Sequence, residues 1–196
     1  MVNTLVNFGV PYGGGAGRGG IIQPKPKHRF RIRVIGFGPV AGGLEMTAQT
    51  ETIGRPQVQS NSVEVHSYNS AAYYAGKALW QPISWSVRDD VTNAAARLIG
   101  HQEQKQLNHL TQTQSLAGSN YKFETFIETL DGGDDGVLET WHIEGCWLES
   151  IEWGEFDYKS SDPMMITMSI RYDNATQEGG LMPLAPEIGT GPMMTG

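Results

Sequence analysis

QPISWSVRDDVTNAAARLIG, residues 81–100, changes period in the middle, and that change decides the fold class. Up to Arg88 the apolar residues alternate. Ile83, Trp85 and Val87 fall on one side, and Ser84, Ser86 and Arg88 on the other, the signature of a strand with one buried face. After Asp89-Asp90 the spacing becomes helical, with Val91, Ala94, Ala95, Leu98 and Ile99 at i, i+3, i+4, i+7 and i+8. A carboxylate at Asp90 can accept the free amides of a helix start and suits its positive end. The stretch predicts a strand feeding a helix that packs on a sheet.

Further strands extend outward from it. RFRIRV, residues 29–34, puts Phe30, Ile32 and Val34 on one face and Arg29, Arg31 and Arg33 on the other. Leu44–Ile53 and Ser62–Tyr68 read as two strands joined by a turn at Gly54-Arg55-Pro56. YKFETFIETL runs into the turn DGGDDG and returns as LETWHIEGCW. PMMITMSIRY places Met164, Ile166, Met168, Ile170 and Tyr172 on one face and Thr167, Ser169 and Arg171 on the other. A second, polar helical stretch is expected over Gln102–Gln114, with Leu107 and Leu110 as its aliphatic anchors. The expected fold is mainly β, a small β-sandwich or part-barrel with one packed α-helix.

The chain has 196 residues, 39% hydrophobic and 18% charged, the composition of one soluble globular domain. Residues 29–178 carry the strand patterns. Residues 1–28 form a Gly/Pro-rich basic arm with six glycines in the eight positions from Gly13 to Gly20, and residues 179–196 a Gly/Pro/Met-rich arm. Neither composition supports a helix or a central strand. Cys146, the sole cysteine, excludes an intrachain disulfide. No cationic start followed by an apolar core is present at the N-terminus, and no apolar run reaches the roughly 20 residues needed to cross a bilayer, so folding in a cytoplasm is expected.

Net charge is −7, unevenly spread. Residues 1–35 carry Arg18, Lys25, Lys27, Arg29, Arg31 and Arg33 and no acid, whereas Phe123–Tyr158 holds eleven acids and no lysine or arginine. Opposite charges on one chain can pair within it or attract copies to one another. Arg29, Arg31 and Arg33 are candidates for an inter-subunit basic face.

Motifs for chemistry are weak. GAGRGG, Gly15–Gly20, matches a dinucleotide fingerprint, but Pro24 and Pro26 forbid the helix that should receive the pyrophosphate. His142, Glu144 and Cys146 share a strand face if alternation is unbroken and are zinc-ligand types, yet a fourth ligand is missing. Glu149, Glu152, Glu155 and Asp157 could supply a glycosidase's acid and base, and with Trp141, Trp147 and Trp153 a sugar platform. Strand faces rich in glutamate and tryptophan are more often a wet face opposite a packed one. No G-x-S-x-G nucleophile elbow occurs, and no catalytic residue, cofactor or metal is expected.

Residues Gly54–Ala94 together resemble the tail tube protein of contractile-tailed bacteriophages. The matching features are Arg55-Pro56 entering a strand, Gly76-Lys77 ahead of Trp80, Pro82 and Ile83, and Val87-Arg88-Asp89-Asp90 opening the helix. Gly145 and Trp147, followed by an acidic segment and a final strand ending in Tyr172-Asp173, are similar to the family's last hairpin, and RFRIRV to its first strand. The resemblance implies six-membered rings stacked into a hollow tube, with sheets of adjacent subunits joined into a ring-shaped β-barrel. It implies a virion protein assembled in the bacterial cytoplasm. Its partners would be itself, the tail sheath, baseplate and tail terminator proteins, and DNA in transit without tight binding, with no membrane. Related tubes serve secretion systems and phage-tail-like bacteriocins, and a tube initiator or terminator would share the pattern. A β-sandwich that binds or cleaves carbohydrate is the competing class. On the tube reading Glu144, Glu149, Glu152, Glu155 and Asp157 face the lumen or a neighbouring subunit, and residues 1–28 lie across the next ring.

Overall fold

A computed structural model describes residues 24–133 and 136–179. The expectations for the glycine run and for most of both arms lie outside the described residues. The elements, in chain order, are β1 (Phe30–Ile35), β2 (Gly43–Glu45), β3 (Thr50–Ile53), β4 (Gln57–Ser67), β5 (Ser70–Gln81), β6 (Ile83–Arg88), α1 (Ala94–Gln106), β7 (Leu107–Asn108), β8 (Thr113–Gln114), β9 (Phe123–Leu130), β10 (Val137–Glu152), β11 (Met165–Arg171) and β12 (Asn174–Gly179). The described residues are mainly β with one α-helix, and their strands pair antiparallel.

The sixteen-residue β10 belongs to two sheets. Its first half lies between β9 and β12, extending the order β2-β1-β9-β10-β12. Its second half begins the order β10-β11-β6-β3. The change of sheet falls at Gly145, where the register against β9 slips and φ is +68. A bulge with a left-handed residue bends a strand sharply, and glycine adopts that φ without strain. A Cβ there would also overlap the Asp173 carboxylate. The slip breaks alternation, so Cys146 is fully buried while Glu144 stays exposed. His142, Glu144 and Cys146 therefore do not share a face, and the metal reading loses its thiol. Burial pushes the Cys146 pKa up to about 12.

The core fills the space between the sheets. Ile32 and Val34 of β1, Ile127 of β9 and Ile143 of β10 meet Ile83, Trp85 and Val87 of β6 and Ile166, Met168 and Ile170 of β11, all 5% exposed or less. The faces read from alternation in RFRIRV, QPISWSVRDD and PMMITMSIRY are those observed. Phe37 packs edge-on against Phe123 at 4.9 Å, and Trp85 Nε1 donates to Thr50 Oγ1 at 3.0 Å.

Helix α1 adds Ala95 and Ile99 to the core. It is tied down by amides: Gln106 exchanges two 2.9 Å hydrogen bonds with the Leu148 backbone, and the buried Gln102 accepts from Gly38 N at 3.0 Å. The helix starts at Ala94 because Asn93 takes φ 54. Val91 is thus left exposed in the turn. Asp90 Oδ1 accepts the Thr92 and Ala94 amides at 3.0 and 3.1 Å, the capping role expected of it.

Two expected elements differ. The segment Leu44–Ile53 is split: Thr47 and Thr50 hydroxyls bond the backbone of Ile32 and Met46 at 3.0 and 2.8 Å and turn the chain from one sheet to the other. Beyond Gln106 no second α-helix follows among the described residues, only a 3-10 turn at Gly118–Asn120, and β7 and β8 form a short hairpin. Asn108 Oδ1 accepts the Leu110 and Thr111 amides at 3.0 and 3.2 Å, and Gln112 sits at φ 54, so turn chemistry displaces the helix and leaves Leu110 95% exposed.

Candidate assembly surface

One feature of the fold lacks the support that strands need. The hairpin β4–β5, 11 and 12 residues long, forms its own two-stranded sheet. All of β4 is exposed, and in β5 only Gly76, Trp80 and Gln81 are half-buried. Such a ribbon is at best marginally stable in water without a third strand or a packed face. Its composition is not that of a solvated loop. Pairing places Val63 opposite Tyr74 and Val65 opposite Ala72 on one face. The other face carries Ser62, Glu64, His66 and Tyr73, with Tyr73 Oη donating to Glu64 Oε1 at 3.1 Å. The register shifts between Ser60 and Ser62, where Gly76 and Lys77 oppose Asn61. A Cβ on Gly76 would stand 2.9 Å from the Asn61 carbonyl, so glycine permits the close approach of the two backbones. At the root, Trp80 packs on Tyr172 at 5.6 Å, and Tyr172 Oη accepts from Gln57 N at 3.2 Å. Pro56 precedes β4 and Pro82 separates β5 from β6, so the two prolines mark where the hairpin leaves the body.

The charged residues fall into three groups. Arg31 Nε and Arg33 Nη2 donate to the buried Glu128 at 2.6 and 3.0 Å, and Arg29 Nη1 donates to the Asp131 carbonyl. These three cations are thus engaged within the chain. Arg33 also stands 5.4 Å from the Phe126 ring centre, and that ring stacks on His142 at 4.3 Å. Glu144 lies 3.8 Å from His142 Nδ1. Glu149 bonds Arg171 at 2.7 Å beside the half-buried Trp147. Arg88 pairs with Glu51 at 2.7 Å, while Asp89 Oδ1 accepts Asp90 N at 3.0 Å. Glu152, Glu155 and Asp157 are exposed at the end of β10 and beyond, and no cation pairs with them among the described residues.

A third group was not legible in the sequence. Glu139 is 5% exposed yet ionised: it accepts from Lys25 Nζ, Trp141 Nε1 and Gln177 Nε2 at 2.7 Å each, with Arg55 at 4.0 Å. Burial raises its pKa, but the hydrogen bonds from Lys25 and Trp141 and the nearby cations outweigh that and leave it below the usual glutamate range. A depressed carboxylate stabilises the fold above its unfolded pKa, about 4.3, and that contribution is lost as pH falls through the folded value. Glu139→Gln is therefore expected to be less stable than wild type at pH 7, by about 2 kcal/mol, with the gap closing towards pH 3. Urea titrations at both pH values check this.

Between β1–β9 and β3–β6 an open cleft of about 940 Å³ has Lys25, Arg55 and Arg88 on its wall. The acids considered for glycan chemistry, Glu149, Glu152, Glu155 and Asp157, do not line it. No helix among the described residues is long and apolar enough to cross a membrane.

No protein-family model matches the sequence, and no curated protein matches it. Solved structures do match in shape. A chain of the anti-feeding prophage baseplate, determined by cryo-EM with 6-fold symmetrisation, superposes with a TM-score of 0.64 at 12% identity over 83% of this chain and 100% of its own. A chain of the sheath–tube complex of an extracellular contractile injection system, PVC, in the extended state gives 0.59 at 16% identity over 81% and 94%. The SPP1 tail tube gives 0.51 at 10% identity over 80% of each chain. At such identities the likeness is one of backbone architecture: the chain has the tail-tube fold.

Proposed function

We propose that this protein is the structural subunit of the tail tube of a contractile-tailed phage, forming six-membered rings that stack into a hollow conduit for DNA. The observation that carries this reading is the unsupported β4–β5 hairpin. A ribbon with valines and tyrosine on one face and hydroxyls, Glu64 and His66 on the other fits a barrel wall shared between copies. The apolar face would pack on the neighbouring subunit and the polar face would meet the channel water. Joining sheets around a ring would also cover strand edges that otherwise pair without control. The same architecture serves injection particles, and charge argues for the cargo. Every copy carries −7, and a negative lumen repels phosphate so that DNA slides, where a basic one would hold it by counterion release. Glu144 and Glu149 are candidates for that lining together with Glu64. The sheath would grip the outside, with baseplate and terminator proteins closing the ends, and of the arm 1–28 the part ahead of Lys25, which is held by Glu139 of its own chain, would reach across the next ring.

Negative-stain microscopy of the purified protein tests the proposal. Rings with six-fold symmetry and stacked hollow tubes are expected. A monodisperse monomer at every concentration up to the solubility limit would overturn it.

A further inference from the structure

The open cleft between β1–β9 and β3–β6 has an apolar floor of Phe30, Ile53 and Ile127. Its rim is cationic: Lys25, Lys27, Arg29, Arg55 and Arg88 line it against one carboxylate, Glu51. Glu51 is spent on Arg88 and Glu139 on Lys25, while Lys27 makes no ion pair among the described residues. A cleft of this kind suits a short segment that carries aromatic rings and negative charge together.

The chain itself displays such a segment. From Glu152, the last residue of β10, the sequence Glu152-Trp-Gly-Glu-Phe-Asp-Tyr158 alternates acids with aromatics. Trp153 is 43% exposed, Phe156 94% and Tyr158 110%. Two large rings, Phe156 and Tyr158, standing fully in water on a short loop mark a surface awaiting a partner. Glu152, Glu155 and Asp157 have no cation to pair with among the described residues, and none of the loop lines the cleft of its own chain.

We propose that the Trp153–Tyr158 loop of one copy docks in the basic cleft of the next. Phe156 seats on the Phe30–Ile53–Ile127 floor, and Glu155 and Asp157 meet Lys27 and Arg55. Loop and cleft are different patches, so the contact is heterologous: each copy that docks leaves one loop and one cleft free, and the contact propagates into a ring or a filament. It rests on the tube reading only for the premise that copies assemble.

Two variants that each add one cysteine, Lys27→Cys and Phe156→Cys, test the contact. Cys146 is buried and stays silent. Mixed, assembled and oxidised, the pair is expected to give cross-linked dimers on a denaturing gel that neither variant gives alone. The reversals Lys27→Glu and Glu155→Lys/Asp157→Lys each raise the assembly threshold about tenfold, as loss of close interfacial charge pairs does. Combined in one chain they restore it. Tubes that form at the wild-type threshold with no cross-link overturn the docking and leave the tube reading standing. A chain that never assembles overturns both. Loop reversals that leave tubes intact but abolish binding of a sheath subunit assign the loop to that partner and overturn the proposal.

Discussion

Replacing Ser60–Ala78 with a short Gly-Ser turn yields a protein that still folds and no longer polymerises. The excised ribbon gives nothing to the core: its residues are exposed on both faces, and the root contacts of Gln57 and Trp80 with Tyr172 remain. Surface substitutions that touch no core contact usually move stability by only about 0.5 kcal/mol, and the melting curve of this variant is expected to stay close to that of the wild type. Assembly, by contrast, loses both the strand pairing and the apolar Val63–Val65–Tyr74 face that a neighbour would cover. Far-UV circular dichroism with thermal melting reports the first effect and sedimentation velocity the second. A variant that sediments as wild-type polymer would remove the hairpin from the assembly.

Trp85→Ala produces the opposite separation. Trp85 is completely buried at the centre of β6, tilted against Phe37 at 6.2 Å, with its indole donating to Thr50. Truncating a core tryptophan costs about 3–5 kcal/mol from lost transfer energy and the cavity left behind. That is a large share of the 5–15 kcal/mol that holds a typical domain. Thr50 Oγ1 keeps its bond to the Met46 carbonyl, so the loss is chiefly one of packing. Equilibrium urea denaturation measures it. The hairpin variant should be close to wild type in that assay and the Trp85 variant far below.

The sequence was readable where burial on one side imposes alternation. β1, β6 and β11 each carry a core face with hydroxyls or arginines opposite, and period two identifies them without further help. β5 was hidden because its alternation has no cause within the subunit. Ala71, Ala72, Tyr73, Tyr74 and Ala75 follow one another with neither face buried, and the strand is held only by its pairing with β4. The bulge at Gly145 and the turn at Asn108 were missed for a related reason. Each depends on one residue's local geometry, which overrides a periodicity computed as if the element were uniform. Among the charged residues, Arg31 and Arg33 looked available to a neighbour because sequence carries no information on Glu128, 97 and 95 positions away, which both of them bond. The acids at positions 152, 155 and 157 are the reverse case: among the described residues no cation pairs with them, as their position at the exposed end of β10 and in the aromatic loop beyond it allows.

Amide hydrogen exchange across Gln57–Gln81, compared between dilute monomer and assembled protein, tests most directly whether neighbours complete the sheet. The outward-facing amides of β4 and β5 should exchange rapidly in the monomer and slow by at least about a hundredfold on assembly, as paired strands do when opening costs several kcal/mol. Equal protection in both states would mean that the hairpin is stable by itself, and would contradict the account.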